Sequence, residues 1–356
     1  MESFKAMAGQ PFKNWQEYLE KSIVSLHELD GFFSRDLKER VPVLDHYPMR
    51  INPYYLSLIT DPDDPLGKQA IPHIRELDDV CGLKDPLDEL GQSPVANLIH
   101  RYPDRVVFLV SDTCAMFCRH CMRKRNIGIR PPFSSRETLE KGLGYIRNTP
   151  AIRDVILSGG DPLMLDTPKL DWLLKEIRKA PHVDIIRIHS RIPCTLPMRI
   201  TENLVRTLST YHPLYLNTHF NHPDEITEQA AQACARLADS GIPLGCQTVL
   251  LKGVNDTPEI MVSLMRKLIK IRVKPYYLHH PDPVAGTAHF RPSLETGFHI
   301  MKALRGHISG IAVPQYMIDL PGGKGKTALL PFDLKGNSPQ KIQVENYLGD
   351  ICEYPF

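Results

Sequence analysis

Three cysteines fall within eight residues, in the stretch Asp112-Thr113-Cys114-Ala115-Met116-Phe117-Cys118-Arg119-His120-Cys121. Their spacing is Cys-x3-Cys-x2-Cys. Three thiolates on one tight loop can bind three irons of a cubane cluster, leaving the fourth iron open to a small molecule. Zinc is one alternative, but a structural zinc takes four ligands, commonly as two separated pairs. His120 adjoins Cys121, which makes it a strained fourth ligand, and no second pair follows. Three buried structural cysteines are the other alternative. The flanking Arg119, His120, Arg123, Lys124 and Arg125 describe a core poorly.

A second group of residues lies near the end, in Asp319-Leu320-Pro321-Gly322-Gly323-Lys324-Gly325-Lys326-Thr327. Glycine-rich backbone can bend around a bulky group and let a lysine approach it. A lysine amine can form a Schiff base with an aldehyde cofactor. A nucleotide-binding P-loop is excluded, because Gly322 would require Gly at 327, where Thr stands. Two solvated loop lysines are the alternative reading. Between the two groups, Leu157-Ser158-Gly159-Gly160-Asp161 closes a strand-like run, and a glycine pair there admits a close backbone approach.

The elements that must position these groups are regular. Short apolar, β-branched runs at 105–111, 154–158, 184–190, 214–218, 243–251 and 274–278 predict strands. Segments 136–148, 168–180, 201–211, 224–240 and 258–271 predict helices between them, and 294–308 follows the last run. Ser135 stands where a helix cap belongs, and Pro168 and Pro258 stand in first turns. Six strand–helix units imply parallel strands with right-handed crossovers, either an open sheet or an incomplete barrel. Chemistry then belongs at the carboxyl ends of the strands, and the cysteine triplet follows the first of them. Residues 1–100 read as a helical, loop-rich cap. Within it 14–25 has a helical pattern, and the Pro-rich stretches 41–54 and 61–72 interrupt it.

Composition narrows the function. Forty-three basic and 41 acidic residues nearly cancel, so nucleic acid is not the expected partner. The longest apolar run, Val106-Val107-Phe108-Leu109-Val110, is far short of a membrane span. No hydrophobic leader is visible in residues 1–10, and a cytosolic location is expected. Eight cysteines in so long a chain make no disulfide framework. Cys81, Cys194, Cys234 and Cys246 are isolated and read as packing residues.

The cysteine spacing, with Phe117 before the middle cysteine, resembles that of the radical S-adenosylmethionine enzymes. With PGGKGKT at 321–327, the chain resembles the lysine 2,3-aminomutase family in particular. The landmarks are HRYPDR at 100–105, CRHCMRKR at 118–125, LSGGD at 157–161, NTHFNHP at 217–223, KGVND at 252–256 and RGHISG at 305–310. The resemblance implies an α/β fold, an incomplete (βα)6 barrel of parallel strands over 101–310, with the cap before it and a cofactor-lysine segment and tail over 311–356. It implies a [4Fe-4S] cluster on Cys114, Cys118 and Cys121, and S-adenosylmethionine whose methionine amino group meets Gly159, Gly160 and Asp161. Pyridoxal phosphate would be attached to Lys326, with Tyr102 and Arg105 on its phosphate. Lys324 replaces a family glycine. His219 and Gln247 are expected to face the cofactors. Arg123 would grip a substrate carboxylate, and Asp282 and Asp319 a distal ammonium. The family's zinc cysteines are missing: Thr257 follows Asn255-Asp256, and the tail has only Cys352, so no zinc is expected.

The activity so implied is a 1,2 amino shift converting L-lysine to L-β-lysine. An electron donor would reduce the cluster, and the protein is expected to be a homo-oligomer. Arginine or glutamate 2,3-aminomutase, production or attachment of β-lysine for elongation factor P, and a non-catalytic zinc-stabilised binding module are the competing readings. Two acids opposite a third carboxylate disfavour glutamate.

Overall fold

The computed structural model describes residues 14–79, 82–128, 134–329, 334–338, 341–346 and 348–355. The cap is built of short pieces. α1 (Trp15–Glu20) is capped by the Asn14 side chain and stops well before the expected Ser25. Ile23 leaves the helix to bridge to Ile51, and Ser25 caps a new 3-10 turn at Leu26–Leu29, with Glu28 accepting from its backbone. These local side-chain bonds compete successfully with helix continuation.

From β1 (Leu98–Tyr102) and β2 (Arg105–Ser111), an antiparallel pair, the chain alternates as its pattern demands. There follow α2 (Arg136–Arg147), β3 (Asp154–Gly159), α3 (Thr167–Arg178), β4 (Ile185–His189), α4 (Glu202–Ser209), β5 (Leu214–Thr218), α5 (Glu228–Asp239), β6 (Leu244–Val249), α6 (Pro258–Lys270), β7 (Lys274–His279) and α7 (Leu294–Leu304). Strands β2 to β7 are parallel and adjacent in chain order, forming a curled, incomplete barrel. The expected Ser135 cap is present, Pro168 and Pro258 stand in first turns, and Thr201, Thr227, Thr257 and Ser293 likewise each accept a backbone N–H of the first turn.

Several strands exceed the expectation, β1 among them. A seventh parallel strand, β8 (Gln315–Asp319), joins β7, and β9 (Lys326–Ala328) folds back antiparallel on β8. In the tail, β10 (Leu334–Ser338), β11 (Lys341–Glu345) and β12 (Ile351–Pro355) form a separate antiparallel sheet. One expected helix is broken. Segment 224–240 begins with a single 3-10 turn, Pro223–Glu225, and α5 starts only after Thr227. Glu225 is fully buried and accepts the backbone N–H of Asn221 (2.6 Å) and His222 (3.0 Å), which fixes the turn apart from the helix.

Leu139, Leu143 and Ile146 of α2 and Leu170, Leu173, Leu174 and Ile177 of α3 are fully buried against the sheet. Each contributes about 1.5–3 kcal/mol by leaving water. Packing thus fastens the helices to the sheet's outer face and leaves the strand ends for polar chemistry. Cys194, Cys234 and Cys246 are buried, as packing residues should be, and Cys81 lies outside the described residues. No helix among the described residues is long and apolar enough to cross a membrane.

Candidate active site

The cysteine loop follows β2 and opens on a cavity of about 540 Å³ at the strands' carboxyl ends, with Cys114, Cys118 and Cys121 all in its wall. The cap holds this loop by its backbone. Arg50 O accepts from Phe117 N, Gln69 O accepts from Arg119 N, and Asn52 Nδ2 donates to Ala115 O. Arg119, between two of the cysteines, turns away into the cap, where buried Glu76 takes both it and Lys124. Burial pushes the Cys114 thiol up and the Cys121 thiol to about 11, so protons occupy both sulfurs without a metal. A coordinating iron reverses that, because its charge deprotonates a thiol outright. Among the described residues no three His, Cys, Asp or Glu side chains converge as a single metal ion requires. A cubane asks for three sulfurs that each reach a different iron, and the loop's donor set fits that.

Arg191 links the loop to the far wall. Its Nη1 donates to Cys118 Sγ at 2.8 Å, and its Nη2 donates to Gln69 Oε1 (2.6 Å) and Glu225 Oε1 (2.7 Å). The inward Glu225 that breaks the fifth helix segment is thus the counter-ion of a cluster-facing arginine. A hydrogen bond to a ligating sulfur steadies its thiolate and tunes the cluster.

Gly159, Gly160 and Asp161 line the same cavity, and the structure adds a second reason for the glycines. A Cβ on Gly159 (φ +125°) would meet Ser111 O at 2.4 Å, and one on Gly160 would meet Thr113 O at 2.6 Å. The pair therefore lets β3 close against the backbone that leads into the cysteine loop, and Gly160 N and Asp161 N bond to it at 2.6 and 2.8 Å. The Asp161 carboxylate accepts from Leu163 N, Ser190 Oγ and Arg191 N, and burial lifts it to about 6. Its bonds organise the site's wall.

Lys326 opens β9 directly opposite Asp319, the last residue of β8. Its Nζ is ion-paired with Asp319 Oδ2, while Asp319 Oδ1 is buried without a hydrogen-bond partner. The Tyr102 hydroxyl accepts from Lys326 N at 2.8 Å, and Arg105 stacks on the Tyr102 ring at 4.1 Å. An amine, an aromatic face and a guanidinium side by side fit an aromatic aldehyde phosphate. Lys324 is exposed and does not line the cavity. Asp282, in the loop after β7, faces the same space, and burial together with Asp319 pushes its carboxyl up to about 7.

Arg123 and Ser158 meet on the opposite wall, Nη1 to Oγ at 3.2 Å. The remaining side of the Arg123 guanidinium is held by Glu89, which the sequence reading left in the cap. His219 Nδ1 bonds to Gln247 O at 2.9 Å, and both residues line the cavity. Also missed were His189 and His279, the last residues of β4 and β7. The strand-end rule would have found them. Burial holds His189 and His279 well below the usual imidazole range and takes His219 to about 4, so all three are neutral near pH 7.

A half-barrel with a three-cysteine loop after its first parallel strand is the arrangement of a radical S-adenosylmethionine enzyme, and residues 108–265 match the family model "Radical SAM superfamily". Residues 301–356 match the model "Lysine-2,3-aminomutase". The chain is 46% identical over 359 residues to L-lysine 2,3-aminomutase of Clostridium subterminale, covering 99% of this chain and 86% of the relative. It is 46% identical to L-lysine 2,3-aminomutase of Methanococcus maripaludis (96% and 82% covered) and 40% identical to glutamate 2,3-aminomutase of Clostridioides difficile (97% and 83%). The chain belongs to the lysine 2,3-aminomutase family. Its cofactors are accordingly a [4Fe-4S] cluster, S-adenosylmethionine and pyridoxal phosphate.

Proposed function

We propose that the protein is an L-lysine 2,3-aminomutase, moving the amino group of L-lysine from C2 to C3. The observation that carries this reading is the pair of acids, Asp282 and Asp319, set in one cavity with Lys326 and the cysteine loop. Opposite charges ~4 Å apart gain about 4 kcal/mol at an effective dielectric of 20, before desolvation. A distal ammonium gains this from the pair, and a distal carboxylate is repelled by it.

When bound, the cluster and S-adenosylmethionine supply hydrogen-atom abstraction, and pyridoxal phosphate carries the migrating amino group. The chain's residues then divide the work. Cys114, Cys118 and Cys121 hold three irons. The backbone at Gly159 and Gly160, in the turn organised by Asp161, meets the methionine end. His219 and Gln247 face the cofactors. Lys326 is the attachment amine for the aldehyde, and Tyr102 and Arg105 take its phosphate end; an arginine suits that anion, being always charged. Arg123 binds the substrate's α-carboxylate. Asp319 Oδ1, buried without a hydrogen bond and with Arg101 no nearer than 3.6 Å, receives the distal ammonium beside Asp282. The neutral His189, His219 and His279 add no positive charge against that cation.

The test is an anaerobic assay of the reduced, reconstituted protein with L-lysine, L-arginine and L-glutamate, the β-isomers separated by chromatography and weighed by mass spectrometry. L-Lysine should be converted fastest. Equal conversion of glutamate would remove the charge argument, and preferred conversion of arginine would reassign the substrate.

A further inference from the structure

One short segment of the cap, residues 83–92, touches every part of the substrate space. Leu83 N donates to Pro283 O (2.8 Å), beside Asp282. Pro86 O accepts from Gly322 N (2.8 Å), and Gln92 Nε2 donates to Gly323 O (3.1 Å), in the loop between Asp319 and Lys326. Leu87 O and Gln92 Oε1 accept from Arg101 (2.9 and 2.7 Å), whose Nη1 lies 3.6 Å from Asp319 Oδ1. The same segment reaches the opposite wall through the Glu89 carboxylate, beside Asp85, which pairs with Arg125 alone (3.1 Å). Glu89 Oε1 accepts from Arg123 Nε (3.0 Å) and Nη2 (2.8 Å), and Oε2 accepts from Arg125 Nη2 (2.9 Å). Glu89 is buried, and despite that burial the two guanidinium groups hold its carboxyl below the usual range.

We propose that Glu89 is a positioning residue for substrate recognition: it fixes Arg123 so that one edge of the guanidinium faces the substrate's α-carboxylate. A guanidinium has five N–H donors in a planar fork. Glu89 takes the donor on Nε and one on Nη2, and Ser158 Oγ takes one on Nη1 at 3.2 Å. One donor on each terminal nitrogen is left, the arrangement that receives a carboxylate through two parallel bonds. Holding the fork in advance removes the rotamer freedom that a free arginine loses on binding. The hydrogen bonds of Glu89 thereby act at the carboxylate end of the substrate, 34 residues from Arg123 in sequence, while its charge reaches Asp282 only through space.

The inference rests on the lysine reading, and the experiment separates the two. Enzyme loaded with pyridoxal phosphate, its cluster left unreduced, is titrated with L-lysine and with 1,5-diaminopentane, which has both amines and no carboxylate. Binding is followed by the cofactor's absorbance. Wild-type enzyme that does not respond to L-lysine overturns the lysine reading itself. With wild type responding, Glu89→Ala should weaken L-lysine on the order of tenfold and leave 1,5-diaminopentane within about twofold, and Glu89→Gln, which keeps a neutral acceptor, should lose less. Equal weakening of both ligands would show a merely structural role, and no weakening of L-lysine would show none; either overturns the proposal. If the alanine variant does not fold, the same comparison on Glu89→Gln decides, with selective loss of L-lysine supporting it and any other outcome overturning it.

Discussion

Asp319 and Lys326 are register partners across a hairpin, one ending β8 and the other beginning β9, and their side chains form an ion pair inside the cavity. The turn between them contains Gly322, Gly323 and Gly325, all at positive φ, and Gly325 packs under the Tyr102 hydroxyl that caps Lys326 N. The hairpin therefore sets the two lysines apart, which is the ground for proposing Lys326 as the reactive amine. Lys326 points to Asp319, and Lys324, two residues earlier, points to solvent. Borohydride reduction of the pyridoxal phosphate-loaded enzyme, followed by peptide mass spectrometry, should place the adduct on Lys326. Lys326→Ala should abolish the adduct and turnover, and Lys324→Ala should leave both within about twofold, as expected of an exposed loop side chain. An adduct on Lys324 would show that the hairpin does not select the amine.

Asp282 gives the site a pH dependence. Its carboxyl is raised to about 7, by burial first and then by Asp319 and Glu89, against Lys326 and Arg101. A cationic substrate needs it ionised, so affinity for L-lysine should rise between pH 6 and 8, by up to about tenfold per unit below that value. Asp282→Asn should flatten the profile and bind more weakly at pH 8. Stability runs the other way. The unfolded carboxyl ionises near 4 while the folded one keeps its proton to about 7, so stability falls as pH rises through that window. Without substrate, Asp282→Asn should therefore melt higher than wild type at pH 8 and no higher at pH 4. An equal difference at both pH values would show that ionisation of Asp282 is not the cause.

Much of this was legible in the residues, for physical reasons. The strands β2 to β7 announce themselves because parallel strands are buried on both faces and read as short apolar runs. The three cysteines announce themselves by spacing. β8 was hidden because Gln315, Tyr316 and Asp319 dilute its apolar signal, so the sequence did not show that Asp319 ends a strand. Glu89 was hidden for a different reason: nothing local to the cap says that its carboxylate crosses to Arg123. Glycines 159 and 160 carried a correct signal with an incomplete cause, since the crowding that demands them comes from Ser111 and Thr113, one strand away. Pairings of distant buried charges are written in the fold, not in sequence neighbourhoods.

The cluster assignment makes a stricter demand. In the proposed assignment each of Cys114, Cys118 and Cys121 holds a separate iron, so Cys→Ala at any of the three should deprive the reconstituted protein of its brown colour and most of its iron, and stop reductive cleavage of S-adenosylmethionine. Cys234 and Cys246 are buried and do not line the cavity, and Ser or Ala there should leave iron content intact. Iron and sulfide analysis with electron paramagnetic resonance of the reduced protein reads both results. Full cleavage activity in any one of the three alanine variants would overturn the assignment.

The cap's buried Glu76 should prove as important to the cluster loop as the cysteines are to the cluster. It accepts from Arg119 Nε at 2.9 Å and from Arg119 Nη2 and Lys124 Nζ at 2.5 Å each, and Lys124 also lies over the Tyr47 ring at 4.2 Å. Removing one partner of a buried charge group costs about 3–5 kcal/mol, because the other charges are left without compensation. Glu76→Ala should therefore lower the melting temperature by about 5 °C or more and lower iron retention, while Glu76→Asp recovers part of both. The loss should itself depend on pH. Burial already brings Lys124 down to about 8 in spite of Glu76. Without that carboxylate it falls further, so the unfolded chain binds the extra proton between there and the ordinary lysine range, and stability rises with pH. The deficit of Glu76→Ala should shrink from pH 7 to pH 9 but persist, since Arg119 stays charged throughout. A deficit that is constant over that range would assign the loss to packing alone and leave Lys124 out of it.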